Sequence, residues 1–235
     1  ASFNFVNSNL TNISNGVREI TESTNLTFDA SGLNFNGIDS VLSWNWTQIL
    51  YSIRAFSIEL YVYQSTVSSM SRLFSISTRA FNTSNRLIEF RRYWDTNAWL
   101  FYNNNTSTSI FTDGRDTGTP QTENNPIEII PNNVWSHIVI TASGTKHTHN
   151  DRVIKFYQNG QVTTDTNNTM NLLFVQDGFL QGFNQEFSLG GLKNVYGAPH
   201  FKGIVKYFRI WHQNELTSYQ IERLYNNREN FGDFF

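Results

Sequence analysis

The 235-residue chain predicts an all-β fold, an antiparallel two-sheet β-sandwich of jelly-roll type that ends in one short C-terminal helix. Three observations predict it. Short runs alternate apolar and polar residues with the period of two that a half-buried strand requires. Clusters of Gly, Asn, Asp and Pro separate those runs. Near the C-terminus the period lengthens to that of an amphipathic helix.

The clearest strand is FSIELYVY (56–63), which sets Phe56, Ile58, Leu60 and Val62 against Ser57, Glu59, Tyr61 and Tyr63. Comparable runs cover 71–78, 86–94, 97–103, 135–143, 153–162, 186–191 and 205–211. Asn159-Gly160 forms a two-residue hairpin turn, because both residue types tolerate positive φ. The stretch 103–133 reads mostly as loop, with a weak strand at Ile127–Ile130. For the helix, Thr217 supplies the N-cap and Gln220 stands three residues on, the spacing of a capping box. Ile221, Leu224 and Tyr225 then form one apolar stripe, and the helix is expected to pack on the edge of the sandwich. No internal repeat is present.

Composition narrows the function. Apolar residues make up 39% and aromatics 15%, enough for a sizeable core. Charged residues are 15% and the net charge is −2, which argues against a phosphate-tracking surface and hence against nucleic acid as a partner. No apolar run approaches the roughly 18 residues that a helical membrane span requires. The absence of cysteine excludes disulfides, thiol nucleophiles and thiolate metal sites. Asparagine is abundant, and sequons begin at Asn9, Asn12, Asn25, Asn45, Asn82, Asn104, Asn105 and Asn167, close to chance at this content of Asn, Ser and Thr. The chain starts at Ala1 without Met and stops at GDFF, and reads as a mature fragment or an excised domain.

The closing segment GIVKYFRIWHQNELTSYQIERLYNN (203–227) resembles that of laminin-G-like jelly rolls, in the concanavalin-A-like lectin/glucanase superfamily. The residues that carry the likeness are Phe208, Ile210, Trp211, Leu216, Thr217, Ile221, Leu224 and Tyr225. Other landmarks follow in order: LNFNGIDSV (33–41), FSIELYVY, NNVWSHIVIT (132–141), IKFYQNG (154–160), then FSLGG and FKGIVKYFRIW. The resemblance spans roughly residues 28–227 and implies one LamG-like domain over 28–235, with residues 1–27 its N-terminal arm or first strand. The Asn-rich style and IVKYFRIW…LYNN are also similar to the jelly-roll half of clostridial neurotoxin receptor-binding regions.

Glucanases of this superfamily place carboxylates at alternate positions of one strand, about 5 Å apart for retaining chemistry. This chain has no Asp or Glu pair at i, i+2, and Glu59 and Glu89 stand alone on their strands. It also lacks the G-x-S-x-G, P-loop and G-x-G-x-x-G motifs, so an enzyme is not expected. No cofactor is expected either. Calcium, which many relatives bind, finds no support: LKNVYGAPHFKG (192–203) has no carboxylate where pentraxin-like members carry an acidic loop, and Val205-Lys206 stands in place of "I-D". Asp113 and Asp116 in TDGRDTG read as a polar turn, and His147 with His149 as an exposed hairpin tip without a third ligand. His137 reads as structural.

What remains are surfaces. With the even-numbered residues of 56–62 in the core, Glu59, Tyr61 and Tyr63 point outward. The hairpin RLIEFRRYWDTNAWLFYN adds Arg91, Arg92, Tyr93, Trp94 and Trp99, whose rings either stack on a sugar or fill the core, since strand phase is ambiguous there. These eight residues are the expected ligand-binding set. The favoured reading is a lectin-like, non-catalytic module that binds carbohydrate or a glycosylated receptor in adhesion, on an extracellular or virion surface. A protein receptor would use the same residue types. The alternatives are a structural or assembly jelly roll of a larger surface or virion protein, and a degenerate glycoside hydrolase or lyase. Fold likeness does not choose among them.

Overall fold

The structure is a computed structural model, and it describes residues 2–6, 20–46, 55–65, 71–78, 86–92, 99–103, 108–111, 129–143, 152–163, 169–170, 185–191, 200–212 and 214–230. Its strands, in chain order, are β1 (Ser2–Asn4), β2 (Ile20–Thr24), β3 (Thr27–Asp29), β4 (Gly32–Asn36), β5 (Val41–Trp46), β6 (Phe56–Gln64), β7 (Arg72–Thr78) and β8 (Arg86–Arg92). They continue with β9 (Trp99–Asn103), β10 (Thr108–Phe111), β11 (Trp135–Ser143), β12 (Arg152–Gln158), β13 (Gln161–Val162), β14 (Thr169–Met170), β15 (Gln185–Leu189) and β16 (Lys202–His212). One helix, α1 (Ser218–Asn226), follows.

The strands form two antiparallel sheets, as the alternating runs predict. Sheet A has the order β13-β12-β11-β6-β16-β4-β3, with β1 beside β16 and β14 beside β12. Sheet B has the order β10-β9-β8-β7-β15-β5-β2. Within the described residues, the alternating runs fall on β6, β7, β8, β9, β11, β15 and β16, and the run 153–162 covers the β12–β13 hairpin. At the β12–β13 hairpin, Asn159 and Gly160 have φ of +50° and +82°, both in the left-handed region that the turn needs. The loop reading of 103–133 misses β10, the terminal strand of sheet B, whose four residues TSIF are too few to show an alternating pattern. Of the strand expected at Ile127–Ile130, residues 129 and 130 form a bend. Both isoleucines are nonetheless fully buried, and 127–128 lie outside the described residues.

The inner faces meet in an aromatic-rich core. Trp44 stacks on Phe187 at 4.6 Å and meets Phe3 at 4.8 Å and Phe208 at 5.6 Å, so β1, β5, β15 and β16 are locked together across the sandwich. Phe90 stacks on Trp99 at 5.0 Å further along sheet B. The pattern Phe56, Ile58, Leu60, Val62 sends its side chains into this core, as the period of two requires. A register shift between Val205 and Tyr207 inserts Lys206 as an extra residue in β16, which lets Val205 and Phe208 both face inward.

The helix lies toward the β13 edge of sheet A, with Tyr225 against Gly160 of the β12–β13 turn, but it rests on the sheet's outer face rather than on the edge itself. Ile221 and Leu224 join Leu216, Val139, Tyr157 and Trp211 in a second apolar cluster, which places α1 on the outer face of sheet A over β11 and β12. The physical reason is area: a face offers the apolar stripe more surface to cover than an edge does. Thr217 caps the helix as predicted, accepting from the Gln220 N–H at 3.3 Å while Gln220 Oε1 accepts from the Thr217 N–H at 2.9 Å.

Candidate functional site

On the outer face of sheet A, strands β16, β6 and β11 align their outward residues in cross-strand rows, odd-numbered except for Ile204, which lies beyond the register shift in β16. Trp211, Ser57 and Thr141 form one row, and Arg209, Glu59 and Val139 the next. Tyr207, Tyr61 and His137 form a third, and Ile204, Tyr63 and Trp135 a fourth. The approach to the helix is fastened to the first row, where the Ser57 hydroxyl accepts from the Leu216 N–H at 2.9 Å and donates to the Asn214 carbonyl at 3.1 Å.

Beneath the helix lies a buried ionic cluster. Arg209 donates through Nη2 to Glu59 Oε1 at 2.9 Å, its Nε lies 2.8 Å from Oε2 as an ion pair, and His137 donates through Nε2 to Oε1 at 3.0 Å. Glu59 and His137 are both 0% exposed. Tyr207, against which the Arg209 guanidinium packs at 4.8 Å, has its phenol pushed far up by burial and secondarily by the Glu59 charge.

No described element of the chain lies over the fourth row. Helix α1 ends at Asn226, and the tail that follows reaches the third row, where Glu229 accepts from the Tyr61 hydroxyl at 2.8 Å and from Lys206 at 2.5 Å. Burial, aided by Glu229, pushes the Tyr61 phenol up to about 12. The Lys206 ammonium, in turn, holds the Glu229 carboxyl below the usual range. Ile204, Tyr63 and Trp135 remain half-buried. Trp135 leans on Tyr63 at 5.6 Å and on Tyr61 at 4.9 Å, so its ring is braced from two sides.

The open row continues across the sheet. Ile204 is paired with Asn34 on β4, and Asn34 with exposed Thr27 on β3. The Asn34 side chain is oriented by donation to Asp29 Oδ2 at 2.9 Å, a bond that holds the Asp29 carboxyl below its ordinary value. At the other end Asn133, in the left-handed region at φ +61°, accepts from the Tyr63 hydroxyl at 3.4 Å. Gly203 has φ +155°, and a Cβ there would overlap the Tyr63 carbonyl oxygen, so glycine lets β16 approach β6 at the stripe. The result is a continuous stripe Thr27–Asn34–Ile204–Tyr63–Trp135, with aromatic faces at one half and amide and hydroxyl groups at the other. Such a surface offers stacking and hydrogen bonding.

The residues anticipated from sequence fall in two separate places. Glu59, Tyr61 and Tyr63 do point away from the core, but α1 and its tail cover the first two. Glu59 is fully buried and Tyr61 is 5% exposed, so Tyr63 alone borders the open stripe. Trp99 is 0% exposed in the core, which decides the choice left open for its ring, and Arg92, opposite Trp99, is buried too. Arg91 lies on the outer face of sheet B, where it and Arg72 flank buried Glu89 at 3.6 and 3.4 Å. In the same register as Glu89 are Ser75, Ser188 and Ser43, the last two joined at 2.8 Å. Tyr93 and Trp94 lie outside the described residues, as do 112–118 and 144–150. Among the described residues, the structure therefore does not bring the two groups together.

Sequence reasoning missed Trp135, Lys206, Glu229 and Asn34. Trp135 had a usable signal, since it opens a strand next to the exposed segment Asn132–Val134. Among the described residues no group of three or more His, Asp or Glu side chains is placed to hold a metal ion.

The sandwich, the strand order and the capped terminal helix define a class. Residues 36–222 match the family model described as the concanavalin A-like lectin/glucanases superfamily, and the chain belongs to that family. No curated protein sequence matches it. Among solved structures it is similar to the binding domain of botulinum neurotoxin serotype D, with a TM-score of 0.59 at 13% identity, over 97% of this chain and 51% of that one. Trypanosoma rangeli sialidase, in complex with 2,3-difluorosialic acid, gives 0.55 at 17% identity, over 89% of this chain and 30% of the sialidase. Domain 4 of AbnA, a GH43 extracellular arabinanase from Geobacillus stearothermophilus, in complex with arabinotriose, gives 0.50 at 18% identity, over 95% of this chain and 86% of that one. The chain thus spans under a third of the sialidase and about half of the toxin domain. At these identities the likeness establishes the fold.

Proposed function

We propose that the chain is a non-catalytic recognition module that binds a carbohydrate, or the glycan of a surface receptor, in an extracellular setting. The observation that carries this reading is the braced Trp135–Tyr63 pair, half-exposed next to the part of the sheet face that α1 and its tail cover, with Asn133, Lys206 and Glu229 beside it. Rings held from below lose little entropy when a sugar's C–H face stacks on them, and the flanking groups reach its hydroxyls. Tyr61 supports the pair from the row beneath, which gives that residue a positioning role. Solved domains of the same fold lend support: one is a toxin binding domain and another was captured with arabinotriose.

A glycan array of the purified chain, run with and without chelator, tests the reading together with Trp135→Ala and Tyr63→Ala. Binding is expected to be chelator-insensitive and to fall by about tenfold or more in a folded Trp135→Ala variant, the scale of an interface hot spot. Silence across the array, with oligomers in solution, would shift the reading to an assembly role.

A further inference from the structure

Resting on that carbohydrate reading, we infer that the stripe takes the interior of an uncharged oligosaccharide chain laid across the strands, rather than one terminal sugar. Three features carry this. The first is length. Thr27, Asn34, Ile204, Tyr63 and Trp135 are successive register partners on β3, β4, β16, β6 and β11. At a strand spacing of about 4.8 Å, four steps make a run of about 19 Å, longer than a single sugar ring.

The second is openness. A site for a terminal sugar closes around one ring as a concave pocket. Here both ends of the stripe run out to water: Thr27 is exposed at one, and Asn132, Asn133 and Val134 are exposed at the other. Among the described residues, no wall closes either end to a chain that enters or leaves. Its chemistry also changes along the run, from the Trp135 and Tyr63 rings through Ile204 to the Asn34 amide, so successive sugars meet different groups. Asn34 spends one amide hydrogen on Asp29 and keeps its carbonyl oxygen and second hydrogen for a ligand.

The third is charge. Among the described residues, the ionic groups bordering the stripe balance, with Asp29, Asp39 and Glu229 set against Lys202, Lys206 and Arg228. Most are already engaged: Lys206 binds Glu229, Arg228 lies 4.3 Å from the Tyr225 ring centre, and Asp39 accepts from Asn25 and Asn36. A balanced border gives no field that favours a carboxylated or sulfated chain.

Calorimetric titration of the whole chain with xylo- and arabino-oligosaccharides of one to six rings tests the inference. Affinity is expected to rise by about tenfold or more from the single sugar to the length that fills the stripe, and then to level off. Asn34→Ala, at the far half from Trp135, is expected to weaken the longest oligomer while leaving the single sugar unchanged. Length-independent binding that Trp135→Ala abolishes would overturn the inference and leave the carbohydrate reading standing. Tighter, salt-sensitive binding of an oligogalacturonate of matched length would overturn the uncharged assignment. No binding by any member of either series would overturn the inference, while the glycan array decides the carbohydrate reading separately.

Discussion

The covered and open parts of sheet A's outer face are built from the same three strands, in the same phase, yet they behave as different materials. Under α1, Glu59, Arg209 and His137 are sealed from water and hold one another. One row past Tyr61, with no described helix above, Tyr63 and Trp135 keep ring surface in contact with solvent. The difference teaches that strand phase assigns a residue to a face, while its chemistry depends on what lies over that face. A carboxylate on an outward position becomes part of an interior when a helix covers it. An outward aromatic becomes a candidate binding platform when the helix stops short.

The sharpest way to break this contrast is Glu59→Ala, which removes the carboxylate that Arg209 and His137 share. Stripping one partner from a buried ion pair costs about 3–5 kcal/mol, so the urea midpoint is expected to fall steeply. A change confined to the stripe, such as Trp135→Ala, should leave the fold cooperative. If the two variants unfold at the same urea concentration, the covered cluster is not a stabilising interior.

A milder perturbation loosens the cover. Thr217→Ala deletes the cap of α1 and should cost about 1 kcal/mol, readable as a lower thermal midpoint, with Thr217→Ser restoring most of it. The smallest effect is a titration at the boundary between the two regions. Folding raises the Tyr61 phenol from its ordinary value of 10 to about 12, mainly through burial and then through Glu229. The protonated phenol is therefore favoured in the folded chain. Its stabilisation is complete below pH 10 and drains away as the pH climbs toward about 12. In Tyr61→Phe the loss of stability over that alkaline window is expected to become shallower.

Much of the scaffold was legible because its signals are local. FSIELYVY, WSHIVITAS and VKYFRIW each carry their phase in a few residues, and Thr217 with Gln220 announces the helix start. The quiet elements were those with no such pattern: β10, at a sheet edge, and the Ile129–Ile130 bend, buried without being a strand. The candidate site was less legible. Tyr61 and Tyr63 were placed on the correct face, but Trp99 stacks on Phe90 inside the core because its phase on β9 matches the inward residues of β8. Trp135 looked like one more strand opener.

The sequence by itself determined the class of fold, the inward and outward assignment of the long strands, the Asn159-Gly160 turn and the capped helix, since each follows from backbone preferences and periodicity over a short window. Only the tertiary structure decided which outward residues stay outward. Glu59 meets Arg209 and His137 across a separation of 150 and 78 residues, and Tyr61 meets Glu229 across 168. Those encounters depend on strand order and on where a helix comes to rest, and both are settled by burying the most apolar surface across the whole chain, which no local window contains.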